Sequence, residues 1–224
     1  MSILALSIAS LVMAQSASQK FDAAEAERLE ACVAKIETDP EDAYEDGLAW
    51  LYQGNRPGAR QCTALALIAL DRPDEGAARL ENLANAPDGG TLEQRAGYLV
   101  QAGNAWLQAG APEAAIVTLT NALKIMPDTP DLLIDRASAH ILLEEWDTAI
   151  KDLDRALTLA PNTAIAHHMR AETRLNMDDL ELALQDVEAA MAADPENIDT
   201  LVLRGQIREA MRVSDPKLIR TEAD

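Results

Sequence analysis

The sequence predicts an all-α chain in which antiparallel helix pairs stack into a solenoid. Three observations carry this. Apolar residues make up 48% of the chain but aromatics only 3%. Alanine and leucine supply most of the apolar side, a composition that favours packed helices over sheets. Pro127, Pro161 and Pro195 recur at intervals of 34 residues, and regular recurrence on that scale marks stacked repeats. Between the prolines, apolar and small residues return at three- and four-residue spacing, the signature of amphipathic helices.

The segments between the prolines match one another residue by residue. The stretch 96–129 reads Leu99-x2-Ala102-Gly103-x2-Trp106, then Ala115-x3-Leu119-x2-Ala122. The stretch 130–163 reads Leu133-x2-Arg136-Ala137-x2-His140, then Ala149-x3-Leu153-x2-Ala156. The stretch 164–197 reads His167-x2-Arg170-Ala171-x2-Arg174, then Ala183-x3-Val187-x2-Ala190. Short polar breaks such as Asn176-Met177-Asp178-Asp179 separate the two helices of a pair. Gly103, Ala137 and Ala171 sit where one helix must approach its partner closely, and Ala115, Ala149 and Ala183 answer them from the second helix. Leu119, Leu153 and Val187 fill the space between pairs, and each proline ends its helix because it lacks the N–H and clashes with the preceding turn.

With small, large apolar and proline positions in this order at this period, residues 96–197 resemble the tetratricopeptide repeat family. The resemblance implies a right-handed superhelical solenoid whose first helices line a concave face. Upstream it continues in weaker form. Residues 57–90 read as a degenerate repeat through Ala64, Leu67, Gly76, Leu80 and Leu83. Residues 21–56 read as a divergent helix pair, Glu25 to Ile36 and Glu41 to Tyr52, with Asp39-Pro40 supplying an N-cap and a first-turn proline. A fourth unit opens at Leu201-x2-Arg204-Gly205-x2-Arg208 and then breaks off, so 198–224 is expected to be a solvating C-terminal helix and tail. One elongated domain from about residue 20 onward is the expected organisation.

Ile3 to Met13 is apolar and uncharged, too short for a membrane span of about 20 residues. Val12-Met13-Ala14 fits the small-x-small cleavage pattern, so 1–14 reads as a secretory signal, 15–20 as a flexible N-terminus, and the destination as the periplasm. No cysteine stands at the cleavage point, which disfavours a lipoprotein. Formal net charge is −19. Such a field repels nucleic acid and anionic lipid, and it favours solubility and neutral or basic partners.

Cys32 and Cys62 are the only cysteines, and an even count in an exported chain suggests a disulfide. In the repeat register both fall in first helices of successive units, which lie side by side and face inward. A bridge there would support the unit with the weakest consensus.

No nucleophile elbow, phosphate loop or dinucleotide fingerprint occurs, and nothing singles out a catalytic pair of acids or a cofactor. His167-His168 with Glu172 could suggest a metal, but His167 holds a large-apolar repeat position and His140 an aromatic one. Trp50, Trp106 and Trp146 have apolar neighbours at helical spacing and read as core. The expected role is a non-catalytic scaffold, a monomer that holds a protein or peptide segment in the concave groove. A permanent accessory subunit of a cell-envelope assembly is the competing reading. The resemblance places Val100, Gln101, Asn104 and Gln108 in that groove, followed by Ile134, Asp135, Ser138 and Ile141, then His168, Glu172 and Asn176, and finally Asp199, Val202, Gln206 and Glu209. Only Asn104 matches the Lys/Asn set with which some family members clamp a terminal carboxylate, so a neutral or basic segment is the expected ligand.

Overall fold

A computed structural model describes residues 23–214 of the chain; the expected signal 1–14, the expected N-terminus 15–20 and the end of the expected tail lie outside them. Among the described residues there are eleven α-helices and no strand. They are α1 (23–36), α2 (Pro40–Tyr52), α3 (Pro57–Ala69), α4 (Pro73–Asn85), α5 (Leu92–Gln108) and α6 (Pro112–Ile125). The series continues with α7 (Pro130–Leu142), α8 (Trp146–Leu159), α9 (Ala164–Asn176), α10 (Leu180–Ala193) and α11 (Ile198–Ser214). The chain divides into two compact units, 1–109 with α1–α5 and 110–224 with α6–α11. Within each unit, helices joined by short turns run antiparallel and pack on their neighbours in the chain.

Local chemistry sets the helix ends. Proline opens α2, α3, α4, α6 and α7, where its missing N–H has no partner to lose. Asp39 caps α2 by accepting from the Asp42 amide at 3.0 Å. Thr91 and Gln94 form a capping box at the start of α5. Helices α3, α5, α7 and α9 each end on a left-handed residue: Asp71 (φ 59°), Gly110 (φ 69°), Glu144 (φ 58°) and Asp178 (φ 63°). The next amide then returns to the carbonyl five residues back, Glu145 to His140 and Asp179 to Arg174, each at 2.9 Å. The last three of these residues stand 34 apart, so the turn repeats with the sequence even though only one of them is glycine.

The small-residue positions are buried as the pattern requires. Ala137, Ala149, Ala171 and Ala183 are shielded from solvent, with Leu153 and Val187 filling the space beside them. Ala171, Ala183, Val187, Leu203 and Ile207 form one apolar cluster across α9, α10 and α11. His140 is buried, and its Nδ1 lies 2.6 Å from Glu145.

Two charged fasteners run through the second unit at the repeat period. Arg136 on α7 donates twice to Asp152 on α8, at 2.7 and 2.6 Å, and reaches Thr120 on α6 at 3.1 Å. Thirty-four residues later, Arg170 on α9 donates twice to Asp186 on α10, at 2.9 and 2.6 Å, and reaches Asp154 on α8 at 2.6 Å. Arg174 also donates to Asp186, which is only 3% exposed. Burial works against the charge on Arg170, but the hydrogen bonds to Asp186 and Asp154 outweigh it and hold the guanidinium above its usual pKa.

The first unit is fastened differently. Cys32 on α1 and Cys62 on α3 are joined in a disulfide with their Cα atoms 6.0 Å apart. Trp50 on α2 is buried beside the bridge with Ala59, and Leu29, Ile36 and Leu51 pack around them. Close approach is built in. A Cβ at Gly58 would stand 2.8 Å from the Trp50 ring, and one at Gly47 would stand 2.7 Å from Thr63.

Candidate functional site

In the second unit, the first helices of successive pairs form one layer. Ser138 on α7 faces the Met169 sulfur on α9 at 3.9 Å, and His168 Nδ1 on α9 meets the Thr200 hydroxyl on α11 at 3.0 Å. From α9 and α11 a row of side chains remains open to solvent: Glu172, Asn176, Asp199, Val202, Gln206 and Glu209 are all exposed. Asn176 is tethered, since its amide donates to the Glu172 carbonyl, and Glu209 is paired with Arg212 in its own helix at 2.8 Å. That pairing lowers the Glu209 pKa.

The remaining groove candidates in this unit are less available. Asp135, Ser138, Ile141 and His168 are half-buried, and the Ser138 hydroxyl is turned back on the Ile134 carbonyl at 3.1 Å. Ile134 itself is a correction. It is 7% exposed, because the helix buries it with Leu132 and Leu133, so it belongs to the core. Two exposed apolar residues that the register did not single out, Leu142 and Ile165, stand 34 residues before Asn176 and Asp199. Repeat equivalence could have found them.

In the first unit, Asn104 and Gln108 on α5 are exposed and Val100 is half-buried. Gln101 accepts a hydrogen bond from Gln61 on α3 at 3.1 Å. This pair lies in a cleft of about 690 Å³ walled by three helices. Helix α1 contributes Glu25, Ala26 and Leu29; α3 contributes Pro57, Gly58 and Gln61; α5 contributes Gln94, Gly97, Tyr98 and Gln101. Nothing stands within 4 Å of where a Gly97 Cβ would lie, so that wall is open. Burial raises the Tyr98 pKa, opposed by nearby Arg60 and Arg95, so the phenol is a neutral hydrogen-bonding group at ordinary pH. Apart from the loosely paired Glu25 and Arg56, 3.9 Å apart, the cleft is lined by amide, hydroxyl and apolar groups. The divergent first helix gave no register from which to assign groove positions there.

Among the described residues, no group of three His, Cys, Asp or Glu side chains could hold a metal ion. His167 and His168 turn apart, His167 to the Pro161 carbonyl at 2.9 Å and His168 to Thr200. No helix among the described residues is long and apolar enough to cross a membrane.

Residues 107–173 match the tetratricopeptide repeat family. The fold agrees. A structure of the first tetratricopeptide domain of Spaghetti (RPAP3), bound to the HSP90 peptide SRMEEVD, is 28% identical with a TM-score of 0.52, covering 53% of this chain and 94% of that one. The thermophilic tetratricopeptide protein TTC0263 of Thermus thermophilus is 23% identical with a TM-score of 0.56, covering 84% and 98%. A MamA double mutant is 19% identical with a TM-score of 0.63, covering 73% and 88%. A comparison with curated proteins finds no match.

Proposed function

We propose that this protein is a non-catalytic interaction scaffold that holds an extended segment of a partner protein against the layer formed by α7, α9 and α11. The observation that supports it most is the composition of that layer. Leu142, Ile165 and Val202 are exposed apolar side chains set among Glu172, Asp199 and Gln206. Apolar contacts supply affinity, while acids around them favour a neutral or basic segment and speed its approach. The peptide-bound relative uses the same kind of fold for a peptide. Export to the periplasm and a monomeric state complete the reading, resting on the N-terminal pattern and the polar, highly charged surface.

A photo-crosslinking residue at position 165 tests it in the native cell envelope. Position 158, exposed on α8, is the control. A discrete protein adduct is expected from 165 and none from 158, and the adduct should diminish with added salt or with Glu172→Lys. Equal capture from both positions would remove the assignment of this face.

A further inference from the structure

We propose that the Cys32–Cys62 bridge is a redox latch that decides whether α1 closes the cleft of the first unit. Helix α1 provides one whole wall of that cleft, through Glu25, Ala26 and Leu29. Yet it is lightly seated. Cys32 is its only buried residue among those described; Glu25, Leu29, Lys35 and Ile36 are half-buried and the others face solvent. Its remaining ties are the packing of half-buried Leu29 and Ile36 beside Trp50 and a set of surface contacts: Arg28 to Gln53 at 2.9 Å, Arg28 over the Trp50 ring at 4.6 Å, Glu25 to Arg56 at 3.9 Å, and Lys35 to Asp42 and Asp46. A helix of this length is marginal in isolation, so its position depends on what fastens it.

Helices α2 and α3 hold each other without α1. Trp50 of α2 lies on Gly58 of α3, Gly47 of α2 lies on Thr63 of α3, and Ala43 is buried with them. Opening the bridge would therefore free α1 and leave the remaining helices packed.

The bridge can be reached. A pocket of about 330 Å³ is lined by both cysteines, with Arg28, Lys35, Asp46, Trp50 and Gln53 around it. Cys32 is 9% exposed and Cys62 only 1%, so an incoming thiolate meets Cys32 first.

The reductant is a dithiol. Its thiolate attacks Cys32 Sγ, a new S–S bond forms between them, and Cys62 leaves as a thiolate that takes up a proton. The second thiol of the reductant then attacks the mixed disulfide, releasing Cys32 as a thiol and closing the reductant into a cyclic disulfide. Two electrons pass from the dithiol to the protein, and the reverse sequence relocks α1.

Hydrogen exchange of the full-length chain, before and after treatment with dithiothreitol in native buffer, tests the latch. Once both thiols can be labelled, amides of 23–36 should exchange at least about tenfold faster, while those of 57–108 stay within about twofold. A Cys32→Ala/Cys62→Ala variant should show the fast pattern without reductant and ignore its addition. Three results would overturn the proposal: α1 protection unchanged after complete reduction, loss of protection in 57–108 together with α1, or a bridge that dithiothreitol opens only in denaturant.

Discussion

The two units hold successive helices together by different means. In 110–224 the fasteners are Arg136–Asp152 and Arg170–Asp186, one per repeat at the same two positions. In 23–109 the corresponding work falls to one disulfide, one buried tryptophan and two glycines that let α2 lie on α3. A regular sequence can use a regular device, because each new pair presents the same groups to its neighbour. A divergent sequence has no such rung available, and a covalent bond tolerates helices that fit each other less well. The comparison also separates robustness from regulation, since an ion pair is always present at ordinary pH whereas a disulfide can be opened.

The largest expected effect comes from breaking a rung. Asp186→Ala would leave half-buried Arg174 without its carboxylate and Arg170 with Asp154 alone, which should destabilise the second unit by about 3–5 kcal/mol. Urea denaturation, with hydrogen exchange assigning the loss, should place it in α9 and α10. A change below about 1 kcal/mol would mean that the charged rungs do not hold this unit. Asp152→Ala should cost less, about 2–3 kcal/mol, because Arg136 carries no second arginine beside it and keeps Thr120.

Next in size is overpacking. Ala137→Leu puts a larger side chain between α7 and α8 and should cost about 1–3 kcal/mol. Gly58→Ala in the first unit drives a methyl into the Trp50 ring and should cost a similar amount, unless the ring shifts. If Gly58→Ala proves neutral while Ala137→Leu is costly, the first unit is the more plastic of the two. The smallest effect has the opposite sign. Glu144→Gly and Asp178→Gly remove a side chain from a left-handed residue and should each stabilise by up to about 1 kcal/mol, whereas Gly110→Ala should destabilise by about as much. Thermal melting of the three variants checks the order.

Much of this architecture can be read from residue types. The 34-residue return of Pro127, Pro161 and Pro195 with alanine at Ala137, Ala149, Ala171 and Ala183 identifies the helix pairs, because close helix approach excludes larger side chains. The cysteine pairing is also legible, since the register puts Cys32 and Cys62 on helices one unit apart. The rungs are not legible to the same reasoning. Arg136 and Arg170 look like surface residues in an apolar pattern, although their 34-residue spacing, shared by Asp152 and Asp186, is a visible sign of a common buried role. Asp178 looks like a cap but serves as the left-handed turn residue, and Asp179 takes the N-cap position of α10. Ile134 fails for a geometric reason: spacing assigns a helix face, and the depth to which that face is sunk depends on its neighbours. The first-unit cleft escapes notice because three helices of different register create it, one of them without a repeat template.

Each rung joins three helices and not two. Arg170 takes its two-point contact from Asp186 in its own pair and a third from Asp154 in the pair before it. A rung thus transmits the loss of one pair to the next, and it sets a direction for that loss. At the C-terminal end the series weakens. Arg208 and Glu188 are 3.8 Å apart and both well exposed, and the position 34 residues beyond Asp186 is Arg220 instead of an acid. On heating, the second unit should therefore come apart as a zip does, from α11 inward, with α7 and α8 the last to let go.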